Sequence, residues 1–163
     1  MITASELLGY RSTFMSDRHL EKDYLQATLL QYIYSYSYNL VFKGGTCLAK
    51  LYGLDRFSED LDFDIGDSDI QAANKGIARA VDLFRLTYYC NTHEVRQKNI
   101  SHTLELRNIK GPLFDFSGDY QKLKIELNLD ERPLLAPVSR FYTPQYFNIK
   151  KFVLRSLDIE EIA

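Results

Sequence analysis

The sequence has no tryptophan, two cysteines, three histidines and four prolines in 163 residues, and each scarcity removes a class of explanation. Cys47 and Cys90 are too few for a disulfide scaffold, and neither has metal-ligand spacing. His19, His93 and His102 are scattered, which leaves zinc without a ligand set. No apolar run is long enough to cross a bilayer, so no membrane partner is expected, and the N-terminus carries no signal-peptide pattern. The setting this predicts is cytoplasmic and reducing. An excess of one charge is missing as well. The formal net charge of −2 argues against a protein that coats polyanions, while leaving room for a local basic edge. There is no internal repeat, low-complexity tract or Pro/Ser-rich linker.

What is present is an ordinary globular composition, 45% hydrophobic and 26% charged, in a chain long enough for one domain with a real core. Aromatic residues are lopsided, with twelve Tyr and ten Phe. Tyr32, Tyr34, Tyr36 and Tyr38 alternate as in a strand, yet Leu25, Leu29, Leu30 and Ile33 recur at helical spacing, so the segment reads as one long helix. The tyrosines then form a half-buried helix end, or alternatively a platform for stacking bases.

The chain starts with helical sequence over Ser5–Tyr38, broken near Ser16, with Asp17 able to cap the second part. Leu40-Val41-Phe42 is a short β-prone run that stops at Gly44-Gly45. Thr46–Tyr52 reads as a helix ended by Gly53, and Leu61–Ile65 as a strand. A helix is predicted over Ser68–Tyr88 from Ile70, Ile77, Val81 and Phe84. Strands are predicted over His93–Gln97, His102–Asn108 and Lys122–Leu129. From Pro133 to about Asn148 the chain reads as irregular, and a helix opens at Ser156 with Glu160 and Glu161 in its first turn. Two helical turns are marginal alone, so a helical region is expected to follow downstream of this chain.

Two segments carry chemistry. In Phe42-Lys43-Gly44-Gly45-Thr46 an apolar strand runs through two glycines into a helix. Glycines admit close backbone approach, and the helix N-terminus offers unpaired N–H groups to an anion. A plain strand–helix corner gives the same pattern. Asp60 and Asp62 lie two apart on a strand, so both carboxylates leave the same face while Leu61 and Phe63 pack behind. Such a pair repels itself unless a positive charge intervenes, and a hard divalent cation such as Mg²⁺ is a natural one. A structural reading would need a cationic partner such as Arg56. Asp64 continues the face too far along the strand to share a metal, and reads as a solvated group or a strand-end contact. In Lys122–Asp130, Leu123, Ile125, Leu127 and Leu129 form an apolar face, and Lys124, Glu126, Asn128 and Asp130 a polar one that can lie beside Asp60 and Asp62. Glu126 there is either a third metal ligand or the ion-pair partner of Lys124.

The string FKGGTCLAKLYGLDRFSEDLDFDI over residues 42–65, with LKIELN over 123–128, resembles the AbiEii/AbiGii toxin family of nucleotidyltransferases, a branch of the DNA-polymerase-β-like superfamily. The resemblance runs from about Leu25 to the chain end. It implies an α+β fold, a mixed β-sheet flanked by helices of the polymerase-β palm type, over residues 1–163. Gly44, Gly45 and Thr46 would form the phosphate-binding turn. Asp60 and Asp62 would be catalytic metal ligands with Glu126 as the third acid, and Ser58, Lys124 and Arg56 match further family positions. The downstream helical region with its basic motif is not in this chain.

By that resemblance the activity is transfer of a nucleotide from a nucleoside triphosphate to an acceptor, RNA such as tRNA or a protein, using two Mg²⁺ ions or Mn²⁺ in their place. The protein would be the toxin of a toxin–antitoxin pair, with a cognate antitoxin as partner. Lys150, Lys151 and Arg155 form either an RNA-facing edge or a solvated charged face. The alternatives are a small-molecule nucleotidyltransferase of the antibiotic-modifying kind and a non-catalytic nucleotide-binding module of the same fold.

Overall fold

Alternation of buried and open residues along three strands builds the centre of this protein. The computed structural model describes residues 1–55, 57–66, 69–97, 100–116, 118–130 and 132–162, the last as backbone. Among these, the strands are β1 (Val41–Lys43), β2 (Asp60–Asp64), β3 (Asn91–Gln97), β4 (Ser101–Ile109), β5 (Gln121–Asn128), β6 (Val138–Tyr142) and β7 (Phe152–Ser156). They form one mixed sheet in the order β3-β4-β5-β2-β1-β7-β6, with β2–β5 and β1–β7 parallel and the other neighbours antiparallel. The fold is α+β, as the sequence predicts.

Helix α1 (Ala4–Leu8) opens with a capping box between Thr3 and Glu6. Helix α2 (Asp17–Tyr36) is capped by Ser16, whose hydroxyl accepts from the His19 N–H at 3.2 Å. The capping residue is thus one position before the expected Asp17, which occupies the first helical turn. Leu25, Leu29, Leu30 and Ile33 are all fully buried, confirming the helical reading of this segment. Helices α3 (Gly44–Tyr52) and α4 (Ile70–Thr87) follow, and α2 packs against α4. Gly53 ends α3 in the left-handed conformation, and Asp69 caps α4 by accepting from the Ala72 N–H. The predicted start of α4 at Ser68, like Arg56, lies outside the described residues.

The core lies on one face of the sheet, where Phe42, Leu61, Phe63, Leu123, Ile125 and Leu127 meet α2 and α4. Burying such side chains contributes roughly 1.5–3 kcal/mol each, which pins the register of β1, β2 and β5. Of the four tyrosines expected to be half-buried, only Tyr32 is so; Tyr36 and Tyr38 are exposed, and Tyr38 lies beyond α2. Tyr34 is buried with its hydroxyl between the carbonyls of Leu40 and Arg155, while Tyr36 lies under the Arg79 guanidinium at 5.2 Å.

The C-terminal third departs from expectation. Residues expected to be irregular include β6, and β7 lies where no element was expected. Strand β6 is an edge strand flanked by Pro137 and Pro144 and carries no apolar alternation. Ser156 ends β7 instead of capping a helix. The short helix α5 (Ile159–Ile162) is capped by Asp158, which accepts from the Glu160 N–H at 3.0 Å. No helix among the described residues is long and apolar enough to cross a membrane.

Candidate active site

Strand β2 presents Leu61 and Phe63 to the core, so its alternate residues Asp60 and Asp62 must face the other way, where both are half-buried. The parallel pairing of β2 with β5 sets Asp60 beside Lys124 and Asp62 beside Glu126. On the other side, the antiparallel pairing of β1 with β2 sets Lys43 beside Asp62. Three separate chain segments thereby bring two aspartates, a glutamate and two lysines to one patch of the open face.

The next residue, Gly44, closes the patch. Its φ is +80°, a conformation that favours glycine, and a β-carbon placed there would lie 2.5 Å from Oδ2 of Asp62. The glycine therefore makes the space in which the Asp62 carboxylate sits. From this point α3 begins with Gly44 and Gly45 in its first turn and no side chain capping it, so its leading N–H groups remain for an anion.

Two other sequence-predicted residues take different places. The Thr46 hydroxyl donates to the carbonyl of Asp60, and Thr46 is 1% exposed, so its side chain ties α3 to β2. Ser58 lines a neighbouring cavity, and its carbonyl accepts from the Gln26 amide at 3.0 Å. Sequence reasoning missed Lys43 altogether. Its Nζ lies 2.7 Å from Oδ1 of buried Asp64, giving that third carboxylate of β2 a structural counter-ion. Lys43 stands inside the glycine-rich string, but nothing in its spacing shows that β1 and β2 run antiparallel with Asp64 two residues beyond its partner Asp62.

The electrostatics follow from crowding. Burial, then the hydrogen bond and charge of Glu126, then Asp60, push the Asp62 carboxyl up to about 7. Asp60 is also raised, first by burial, against the attraction of Lys124. Glu126 is held below its ordinary value, first by a hydrogen bond from Lys124, whose Nζ is 2.7 Å from Oε1, and then by Asp62. The two carboxyls titrate as an interacting pair, in which burial and crowding raise Asp62 while Lys124 lowers Glu126.

Among the described residues, no three acidic, histidine or cysteine side chains close on one point as a ready-made metal cage. The donor set nonetheless fits a hard divalent cation. It consists of carboxylate oxygens held together against their own repulsion, on a face with an uncapped helix start beside it. Lys124, engaged with Glu126, balances part of that charge.

The sequence and fold agree with one family. Residues 28–163 match the model of the nucleotidyl transferase AbiEii toxin family, Type IV TA system. The chain belongs to this family. Solved structures with the same fold include JHP933 from Helicobacter pylori, at 24% identity and a TM-score of 0.60, covering 91% of this chain and 56% of that one. Another is MenT4, a nucleotidyltransferase toxin from Mycobacterium tuberculosis H37Rv, at 17% identity and a TM-score of 0.63, covering 98% and 56%. The AbiEii-family chain therefore spans a little over half the length of the solved structures it matches. None of the curated proteins matches it.

Proposed function

We propose that this AbiEii-family chain carries the catalytic domain of a cytoplasmic toxin that transfers a nucleotide from a nucleoside triphosphate to an acceptor, RNA such as tRNA or a protein. The observation that supports this most directly is the placement of Asp60, Asp62 and Glu126 on two adjacent parallel strands, with Gly44 and the uncapped start of α3 beside Asp62.

In the reaction, an acceptor oxygen attacks the α-phosphorus, the bond to the bridging oxygen breaks, and pyrophosphate leaves. Asp60, Asp62 and Glu126 would hold Mg²⁺ or Mn²⁺, and such ions supply charge neutralisation to the attacking and leaving oxygens. The chain's own groups do the rest. Gly44 and Gly45 let the phosphates reach the α3 N–H groups, which orient them without side-chain entropy. The positively charged Lys124 offsets the acids. A cognate antitoxin is the expected partner.

The test is incubation with each labelled nucleoside triphosphate, Mg²⁺ and total RNA. Transfer of label to RNA is expected with the native sequence and is lost in Asp60→Ala and Asp62→Ala. Equal labelling by both variants would overturn the assignment of the acids. Labelling of a small aminoglycoside-type acceptor in place of RNA would move the chain to the small-molecule class.

A further inference from the structure

A second concavity, of about 440 Å³, lies between α2 and α3 and beneath the segment that leads into β2. It shares backbone with the acidic patch. Thr46 and Ser58 both line it, and Thr46 bonds to the Asp60 carbonyl while Ser58 stands two residues before Asp60. In extended chain, two residues span about 7 Å, comparable with the reach of a ribose from its phosphate to its base.

The walls of this cavity have the chemistry of a base pocket and lack that of a phosphate pocket. His19 and Phe57, which both line it, lie stacked with ring centroids 4.2 Å apart and planes 10° apart, so each covers one face of the other and a third ring can extend the stack on an outer face. Its lysine, Lys50, is 4% exposed and held 2.7 Å from Asp23, so it is not placed to meet an anion. Asp23 also accepts from the Tyr146 hydroxyl at 2.5 Å. Both Asp23 oxygens are therefore engaged, Oδ1 by Lys50 and Oδ2 by Tyr146. Each carboxylate oxygen has a further lone pair, so Asp23, which lines the cavity, can still accept from ring N–H or amino donors. The volume suits a group of nucleoside size.

From these features we propose that the cavity between α2 and α3 seats an unpaired nucleobase of the transfer reaction. The base extends the His19–Phe57 stack on an outer ring face and turns its donor edge toward Asp23. This inference rests on the nucleotidyl-transfer reading of the acids. The base comes either from the nucleoside triphosphate or from the terminal nucleotide of an RNA acceptor, and one experiment separates the two.

Equilibrium binding is measured with Mg²⁺ for the four common nucleoside triphosphates, for inorganic tripolyphosphate, and for a short single-stranded RNA with either a normal or an abasic 3′ end. The proteins are the native sequence, His19→Ala, Ala49→Leu to fill the cavity, and His19→Phe to keep a ring. Melting temperatures verify folding. Stacking of one base corresponds to a gain of roughly tenfold in affinity. If the triphosphate supplies the base, at least one nucleotide binds native protein about tenfold better than tripolyphosphate. That advantage disappears in His19→Ala and Ala49→Leu and returns in His19→Phe. If the RNA end supplies it, the preference for a normal over an abasic end follows the same pattern. Preferences unchanged in both folded variants would overturn the base pocket while leaving the transfer reading standing. Failure of the native protein to bind any triphosphate or tripolyphosphate would overturn the transfer reading, and the pocket with it.

Discussion

The Cα of Gly44 faces the carboxylate of Asp62 so closely that a methyl group there would come within 2.5 Å of Oδ2. The glycine turn and the acidic strand are therefore one device. In sequence they are eighteen positions apart; in space the first makes room for the second.

Gly44→Ala should consequently damage both stability and chemistry. The residue is held at φ +80°, where an alanine costs about 1–3 kcal/mol, and the new methyl displaces the Asp62 side chain. Thermal melts should show a lower transition, and the label-transfer assay a loss of at least a hundredfold. A variant with native transfer rates would show that the position of Asp62 does not matter.

Asp62→Asn is expected to separate stability from activity. The native residue sits among Glu126 and Asp60 with burial working against its charge, so removing that charge relieves repulsion at neutral pH. In the absence of divalent cations the melting temperature should equal or exceed that of the native protein, while transfer falls below detection. A large drop in melting temperature would mean that Asp62 is a structural residue.

Lys43 and Asp64 should behave as a buried pair. Their side chains are 15% and 4% exposed and 2.7 Å apart. Asp64→Ala should lower stability by removing the carboxylate that meets Lys43 at 2.7 Å, and Lys43→Met combined with Asp64→Leu should recover part of that loss. Chemical denaturation of the single and double variants measures the coupling. Additive losses would show that the two do not stabilise each other.

Glu21 provides a pH dependence away from the acidic patch. It is fully buried on α2 and accepts backbone N–H groups from Leu113 and from Phe114, the latter at 2.9 Å. Burial raises its carboxyl above the ordinary value, against the pull of those N–H groups. A folded value above the unfolded one means that the folded state binds the extra proton, so stability falls as pH rises through the window from about 4.5 upward. The melting temperature of Glu21→Gln relative to the native protein should therefore rise between pH 4.5 and 8. A difference that stays flat over that range would show that the Glu21 carboxyl has the same proton affinity folded and unfolded.

Much of this molecule was legible in its residues. The leucines of α2, the Gly53 stop of α3, and the alternation in β2 and β5 are local patterns. A helix or strand repeats over a few residues, so its face can be read from neighbours in the chain. The glycine-rich string and the Asp60/Asp62 pair were legible for the same reason. The edge strand β6 was not, because its residues alternate nothing and its stability comes from β7 beside it. Nor was Ser156, which has the look of a helix cap but ends the strand that pairs with β1.

What the residues alone determined, then, is which side chains share a face within each element. Only the tertiary structure decided which faces meet. It set Glu126 beside Asp62, gave Lys43 to Asp64, turned the Thr46 hydroxyl back to Asp60 and fitted Asp62 against Gly44. The physical reason is that strand order and register are settled by burial summed over the whole sheet, a quantity no short stretch of sequence contains.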